Sequence, residues 1–408
     1  MLEPLGIRDF ALLWTGMTTS LVGDFVFLVA YAWETYQLSN DPATLGWISA
    51  AYVAPTVIFL TVGGVLTDRI ERRRMMIAAD SLRAVATAIG GALAVTGRLT
   101  IWELALVVAV GGFGQALFAP AFGSIVPEIV PPEQLAQANS LDQFVRTAAG
   151  LVGPALGGVV IAAAGAGVAF LLDAGTFVVS TATALALTPR PYERTERTSP
   201  LRDVRDGWSY VRANVWLWAT FAAAGMMNVA SATRNVLLPF VIKNDLRASA
   251  SALGLVYSAA SAGALISAFT YGQHGLPRRP VVVAYLGWAV SLFAIAGYGL
   301  GTSVGELVAF GFVGGLGISF GQAIWGTLMH RLVPARLLGR VTSIDWLTSL
   351  SLMPVASAGA GLVASAIGAR TTLTAAGLFA GGVTVLFLLV SPALRRTSLE
   401  PPGERAEA

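Results

Sequence analysis

Cysteine is absent from the 408 residues. That excludes disulfides, thiol chemistry and every Cys-based metal site. Histidine occurs only twice, as His274 and His330, which argues against a zinc centre. Charge is scarce as well. Asp, Glu, Lys and Arg make up 12% of the chain, against about 25% in soluble domains. No Gly-x4-Gly-Lys loop is present to cradle a phosphate, so ATP drive has no support and no cofactor is expected. What fills the chain is apolar: 55% hydrophobic residues and a mean hydropathy of +0.70. These values describe a polytopic, all-α membrane protein whose first partner is the lipid bilayer. The pI near 9.4 comes from arginine in loops, so no nucleic-acid face is expected. Residues 1–10 are short and mixed in charge, and read as no cleavable leader.

A spanning helix needs about 20 apolar residues. Twelve such segments are expected, at 11–37, 45–67, 75–96, 101–126, 138–165, 167–188, 216–241, 249–272, 281–300, 304–329, 340–367 and 371–391. Turn residues mark the breaks: Ser39-Asn40-Asp41-Pro42, Thr96-Gly97-Arg98, Val130-Pro131-Pro132-Glu133, Gly165-Ala166-Gly167, Pro277-Arg278-Arg279-Pro280 and Gly368-Ala369-Arg370. Positive charge orients the set. Nineteen arginines fall on the side that holds both termini, against four basic residues, Arg98, Lys243, Arg247 and Arg370, on the other. That bias places both termini in the cytoplasm of a cell-membrane protein. The expected organisation is a six-helix bundle at 1–188, a cytoplasmic linker at 189–215, a second six-helix bundle at 216–391 and a tail at 392–408. Within the linker, 200–212 reads as a short amphipathic helix, with Trp208 and Tyr210 suited to the membrane interface. Trp14, Trp33, Trp47 and Trp102 are expected in interface belts.

An internal repeat supports two halves. Val130-Pro131, followed by Ser140-Leu141-Asp142, is echoed by Val333-Pro334 and Ser343-Ile344-Asp345, 203 residues on. Gly158 and Gly361 keep that offset, and Gly114-Gln115-Ala116 resembles Gly321-Gln322-Ala323.

Between the second and third segments runs Gly64-Val-Leu-Thr-Asp68-Arg69-Ile-Glu-Arg72-Arg73-Arg74. So many arginines cannot lie in hydrocarbon, where each costs about 2.5–3.5 kcal/mol at the centre. The order Gly-x-Leu-x-Asp-Arg-x-x-Arg-Arg resembles the signature of the major facilitator superfamily of transporters, carried here by Gly64, Asp68, Arg69, Arg72 and Arg73. Glu71 departs from it, standing where the family usually has Gly. A degenerate copy is His274-Gly275-Leu276-Pro277-Arg278-Arg279. Ser20-Leu-Val-Gly23-Asp24 and Ala79-Asp80-Ser-Leu-Arg83 resemble the branch of siderophore, macrolide and drug exporters. Gly153, Pro154, Gly157 and Gly158 resemble the antiporter motif of the fifth helix in proton-driven exporters. The resemblance implies two pseudo-repeated bundles of six helices, a monomer, and export of a small amphiphilic molecule by alternating access, with protons in exchange. It also implies that Asp68 meets the start of the eleventh helix near Gly339, holding the cytoplasmic gate. An importer or uniporter on the same fold, and a non-transporting receptor or assembly partner, stay open as alternatives.

Ionisable groups inside a membrane are functional by default. Asp24 lies halfway along the first segment. It either loads and releases a proton or stays ionised against an arginine. Asp173 and Arg234 are expected nearer the outer ends of their helices, as further coupling candidates or as an ion pair in an outer gate. Asp80, Arg83, Asp142 and Arg146, at i,i+3 and i,i+4 spacings, read as a structural charge network near the cytoplasmic ends. Arg336, Arg340 and Asp345 are the counterpart in the second half. Gln115, Phe118, Met226, Met227, Asn228, Gln322 and Trp325 are candidates for a substrate pocket with few hydrogen-bonding groups, though each can equally be helix packing. The hydrolase-like Gly317-Ile-Ser319-Phe-Gly321 follows no strand, and His330 stands before Asp345 rather than after it, so no enzyme is expected.

Overall fold

Hydrocarbon offers no partner to a backbone N–H or C=O, so long apolar runs coil into helices that pair these groups internally. The computed structural model describes residues 2–67, 70–188 and 208–391, and no strand occurs among them. The helices are α1 (Arg8–Leu38), α2 (Pro42–Thr67), α3 (Arg72–Val95), α4 (Ile101–Ile129), α5 (Leu135–Ala164) and α6 (Ala166–Leu185). After residues 189–207 come α7 (Val215–Phe240), α8 (Ala250–His274), α9 (Pro280–Leu300) and α10 (Val304–Leu332). The last are α11 (Ala335–Leu350), α12 (Met353–Ile367) and α13 (Ala369–Val390). Eleven spans are long and apolar enough to cross a membrane, α11 and α12 acting together as one of them. The helix α7, interrupted by Asn228, Arg234 and Asn235, is the twelfth segment.

One boundary differs from expectation. The run 340–367 is broken at Ser351–Leu352. Pro354 has no N–H to give the Leu350 carbonyl, and its fixed φ suits a helix start, so a second helix begins at Met353. Of the expected amphipathic helix, only 208–213 lies among the described residues, and it is helical. The interface belt needs correction too. Trp102 and Trp47 are 82% and 58% exposed, as a belt requires, but Trp33 is buried at 8%.

The repeat is visible in backbone geometry. Val130 and Val333 close α4 and α10 with φ/ψ of −103°/131° and −93°/128°. Gly165 and Gly368 open α6 and α13 at φ +85° and +89°. Thr100 and Ser303 open α4 and α10, each with a glutamate three residues on that reaches back to the helix entry. All three pairs keep the 203-residue offset found in the sequence.

Packing follows the halves. In the first, α1 lies on α5 and α6, α3 on α4 and α6, and α2 on α4. In the second, α10 lies on α8 and α9, α13 on α9 and α7, and α7 on α12. The halves meet through α5 against α8 and α2 against α12. At the end away from the termini, one hydrophobic core runs through both halves, with Tyr36, Val236, Leu237, Leu253 and Ala360 in it. At the terminal end the cores are separate. Phe10, Phe122 and Leu141 belong to the first half's core, and Phe221, Met329 and Ile344 to the second half's.

Candidate transport site

Four charged side chains from three helices meet inside the first half. Arg83 of α3 pairs with Asp24 of α1, and its Nη1 lies 3.5 Å from Asp80 Oδ1. Its guanidinium carbon stands 3.9 Å above the Phe177 ring, a cation–π contact. Ser180 Oγ donates to Asp80 Oδ2 at 2.6 Å. Asp173 of α6 is buried beside them and accepts from Thr176 Oγ1 at 3.4 Å, but has no cation of its own among the described residues. Arg83 is 3% exposed, Asp80 1% and Asp173 1%. Three carboxylates therefore share one guanidinium, and of the four groups only Asp24, its side chain 28% exposed, is open toward solvent.

Small residues make this convergence possible. A Cβ at Gly23 would stand 2.5 Å from Asp173 Oδ1, so only glycine lets α1 lie against that carboxyl. A Cβ at Gly114 would stand 2.5 Å from the Arg83 stem. Beside the cluster is a cavity of about 200 Å³, lined by Asp24, Arg83, Asp173, Tyr31, Tyr52 and Thr87 among others. The Tyr31 and Tyr52 rings stack at 6.5 Å between centroids.

This regroups the sequence candidates. Asp80 and Arg83 do not stand with Asp142 and Arg146, which pair with each other at 3.0 Å in α5. They belong with Asp24 and Asp173. Nor does Asp173 pair with Arg234. Arg234 bonds Asn235 Oδ1 at 3.0 Å and lines a separate cavity of about 200 Å³ in the second half. Asp345 accepts from Trp325 Nε1 and Ser349 Oγ, each at 3.1 Å. Trp325 packs against Trp216, Phe221 and Trp288. The side chain of Arg336 lies outside the described residues, and Arg340 has a partner of its own. Phe118 is buried in the first half's core, stacked on Phe122, and Met227 in the core that both halves share. Gln115, Met226 and Asn228 are half-buried, and Gln322 is exposed. Sequence reading missed Tyr31, Tyr52, Thr87 and Ser180. Their only signal was polarity inside apolar runs.

The signature loop is partly described. Asp68 and Arg69, and with them the contact expected near Gly339, lie outside the described residues, as do the surroundings of Gly64. Arg72 pairs with Glu128 at the end of α4. Arg73 donates to the carbonyls of Ala184, at 2.9 Å, and Leu185, at 2.6 Å. Both carbonyls belong to the last turn of α6, where a cation also meets the negative end of the helix dipole. The two arginines thus fasten the α2–α3 turn to α4 and α6.

The antiporter-like motif is a packing surface with two sides. Gly153 and Gly157 take Phe25 and Val26 of α1. Gly158 takes Ala250 and Ser251 of α8, and the Pro154 carbonyl lies against Gly254. Hydrogen bonds cross the same seam: Ser258 Oγ to the Leu151 carbonyl at 2.6 Å, and Ser251 Oγ to the Gly158 carbonyl at 3.1 Å.

Comparison with known proteins agrees with this architecture. Solved structures with the same fold include a POT-family transporter in complex with a thioalcohol-conjugated peptide, at a TM-score of 0.74 and 13% identity over 95% of this chain and 96% of that one. A bacterial homologue of the human lysosomal transporter Spinster, inward-facing and occupied, gives 0.71 and 16% over 95% and 98%. Relatives in sequence include macrolide efflux protein A of Streptococcus pyogenes, 23% identical over 94% of this chain and 95% of the relative. Another is the enterobactin exporter EntS of Escherichia coli, 27% identical over 84% and 82%. Residues 1–274 match the family model described as transmembrane secretion effector. These relatives are membrane transporters of the efflux type and not enzymes. With eleven membrane-crossing spans among the described residues, an internal repeat and a family match over most of its length, the chain belongs to the transmembrane secretion effectors of the major facilitator superfamily, as a multi-pass efflux transporter.

Proposed function

We propose that this transporter moves a small amphiphilic molecule from the cytoplasm outward by alternating access, exchanging it for protons. The halves 1–188 and 216–391 rock against each other, with both termini in the cytoplasm. One observation carries the reading. The two halves share one core at the end away from the termini and keep separate cores at the terminal end. A seal at one end with a parting at the other supports one member of a pair of states. The arginine bias assigns the parted end to the cytoplasm, so this state faces inward.

Charge balance supports the proton. With all three carboxylates ionised, the cluster around Arg83 carries two uncompensated negative charges. Each buried charge without a partner costs several kcal/mol. A proton on the Asp24–Asp173 pair removes one of them, and its release as the cluster meets water restores it. The cluster spans α1, α3 and α6, so proton occupancy and the posture of α1 are coupled through the Arg83–Asp24 contact.

The test is flux in proteoliposomes of known protein orientation under an imposed pH gradient, with rhodamine 123 and fluorescein as amphiphilic reporters and a panel of macrolides beside them. Movement out of the compartment that faces the terminal end, accelerated when protons flow the other way, is expected. Movement in the same direction as protons would make this an importer. Absence of flux for every compound, with binding retained, would point to a receptor.

A further inference from the structure

The second half holds a cation that nothing above uses. Arg234 stands in α7, two turns from its outer end. No carboxylate lies within ion-pair distance of it among the described residues. Its Nε and one Nη contact only Asn235 Oδ1, a neutral oxygen, at 3.3 and 3.0 Å. The other Nη makes no hydrogen bond among the described residues. Arginine cannot shed its charge in a protein, so an unpaired one inside a membrane is held at a cost unless something else supplies the anion.

The surroundings fit that role. Arg234 lines a cavity of about 200 Å³ between α7, α8, α9 and α10. Ser261, Ser291 and the Tyr298 hydroxyl line it too, and none of the three makes a side-chain hydrogen bond among the described residues. Three free hydroxyls and a fork of N–H donors converge on one space, with Ile318 and Ala294 as apolar wall. No acidic side chain lines it.

We infer that Arg234 is the receptor for a negatively charged oxygen group of the transported molecule, with Ser261, Ser291 and Tyr298 as neutral donors. The substrate class is an anionic amphiphile, such as a carboxylate, sulfonate or phenolate on an apolar frame. This deepens the transport reading above and rests on it for direction only. Binding comes from charge-assisted hydrogen bonds, which are shorter and about twice as strong as neutral ones. The carboxylate cluster in the first half carries the proton and leaves the anion to the second half.

The test uses two dyes on one xanthene frame, anionic fluorescein and cationic rhodamine 123. Their binding to purified full-length protein in lipid nanodiscs is read by fluorescence anisotropy, and their flux in proteoliposomes. Wild type should bind fluorescein in preference to rhodamine 123. Arg234→Gln should weaken fluorescein binding by about tenfold or more, the loss of a hydrogen bond to a charged group, and leave rhodamine 123 unchanged. Arg234→Lys should keep part of the affinity because the charge stays. Folding of Arg234→Gln is checked by thermal melting, and removing an unpaired cation strands no partner. If that variant does not fold, Ser291→Ala and Tyr298→Phe serve instead, each expected to lower fluorescein affinity selectively. Failure of wild type to bind fluorescein, or equal binding by wild type and Arg234→Gln, would overturn the inference. Arg234-dependent binding without flux of either dye would keep the site and remove the transport reading. Fluorescein flux and binding indifferent to Arg234→Gln would keep transport and remove the site.

Discussion

At the scale of single residues, the weight falls on Asp24 and Asp173, which share one arginine's surroundings yet should respond differently to neutralisation. Asp24→Asn removes the direct partner of Arg83, but Asp80 stays at 3.5 Å. The loss of stability should therefore fall below the roughly 3–5 kcal/mol of a fully stranded buried charge. Transport driven by a pH gradient should stop, while exchange of substrate at equal concentrations, which needs no net proton movement, should continue. Asp173→Asn removes a carboxyl without a cation, so its melting temperature should stay near wild type while pH-driven transport again fails. Both results are read in the same proteoliposomes, with thermal melting alongside. Normal pH-driven flux in both variants would exclude the cluster from coupling. The sequence made Asp24 legible, because a carboxylate in an apolar run stands out. It misplaced Arg83, since i,i+3 spacing reports neighbours on one helix and says nothing of the helix across. Asp173 suffered the same way. It was expected nearer the outer end of its helix than Asp24, and the two line one cavity.

Among elements, the seam between α5 and α8 is the clearest candidate for a moving surface. Gly158 and Gly254 bring the two backbones together, and a Cβ at Gly158 would stand 2.7 Å from the Ala250 carbonyl oxygen. Gly361 does the same for α12 against the start of α2. Gly158→Leu should wedge this seam. Overpacking costs about 1–3 kcal/mol, and a bias of that size shifts a two-state gate roughly 5–150-fold. Leu253 is fully buried in the shared core. In a Leu253→Cys background a membrane-impermeant maleimide added on the side away from the termini should label slowly. The added Gly158→Leu should speed that labelling by about the same factor and depress flux. Unchanged labelling would mean the seam does not open. Helix positions were read well because apolar length and turn residues set them directly. The break at Ser351–Leu352 was not, because Pro354 stands among Leu352, Met353 and Val355, with no charged residue beside it to mark a boundary. The glycine motif was recognised by its pattern, but its two-sided packing on α1 and α8 depends on which helices adjoin it.

For the whole molecule, the repeat was readable from the 203-residue offset, and the backbone at Val130 and Val333 repeats to within about 10°, inside the scatter of one conformation. The state was not readable, because a sequence that alternates must encode both postures with similar stability. The seal at the outer end is polar as well as apolar. Tyr36 donates to the Val236 carbonyl at 2.8 Å, Lys243 donates to the Tyr36 carbonyl, and Ser365 Oγ donates to Asp41 Oδ1 at 3.3 Å. The last pair joins the start of α2 to α12, on opposite halves, and invites a lock. The chain has no cysteine to interfere. Asp41→Cys with Ser365→Cys, bridged through two disulfides by a short bis-methanethiosulfonate, should hold the end away from the termini shut. Flux should then cease and return on reduction, while binding from the terminal side persists because that end is already parted. Each single-cysteine variant controls for loss of the Asp41 cap on the Ala43 N–H, a contact of 3.1 Å worth about 0.5–2 kcal/mol. Full cross-linking with undiminished flux would show that the halves need not separate at this end, and a rocking exchange between two faces would have to give way to a path through one fixed posture.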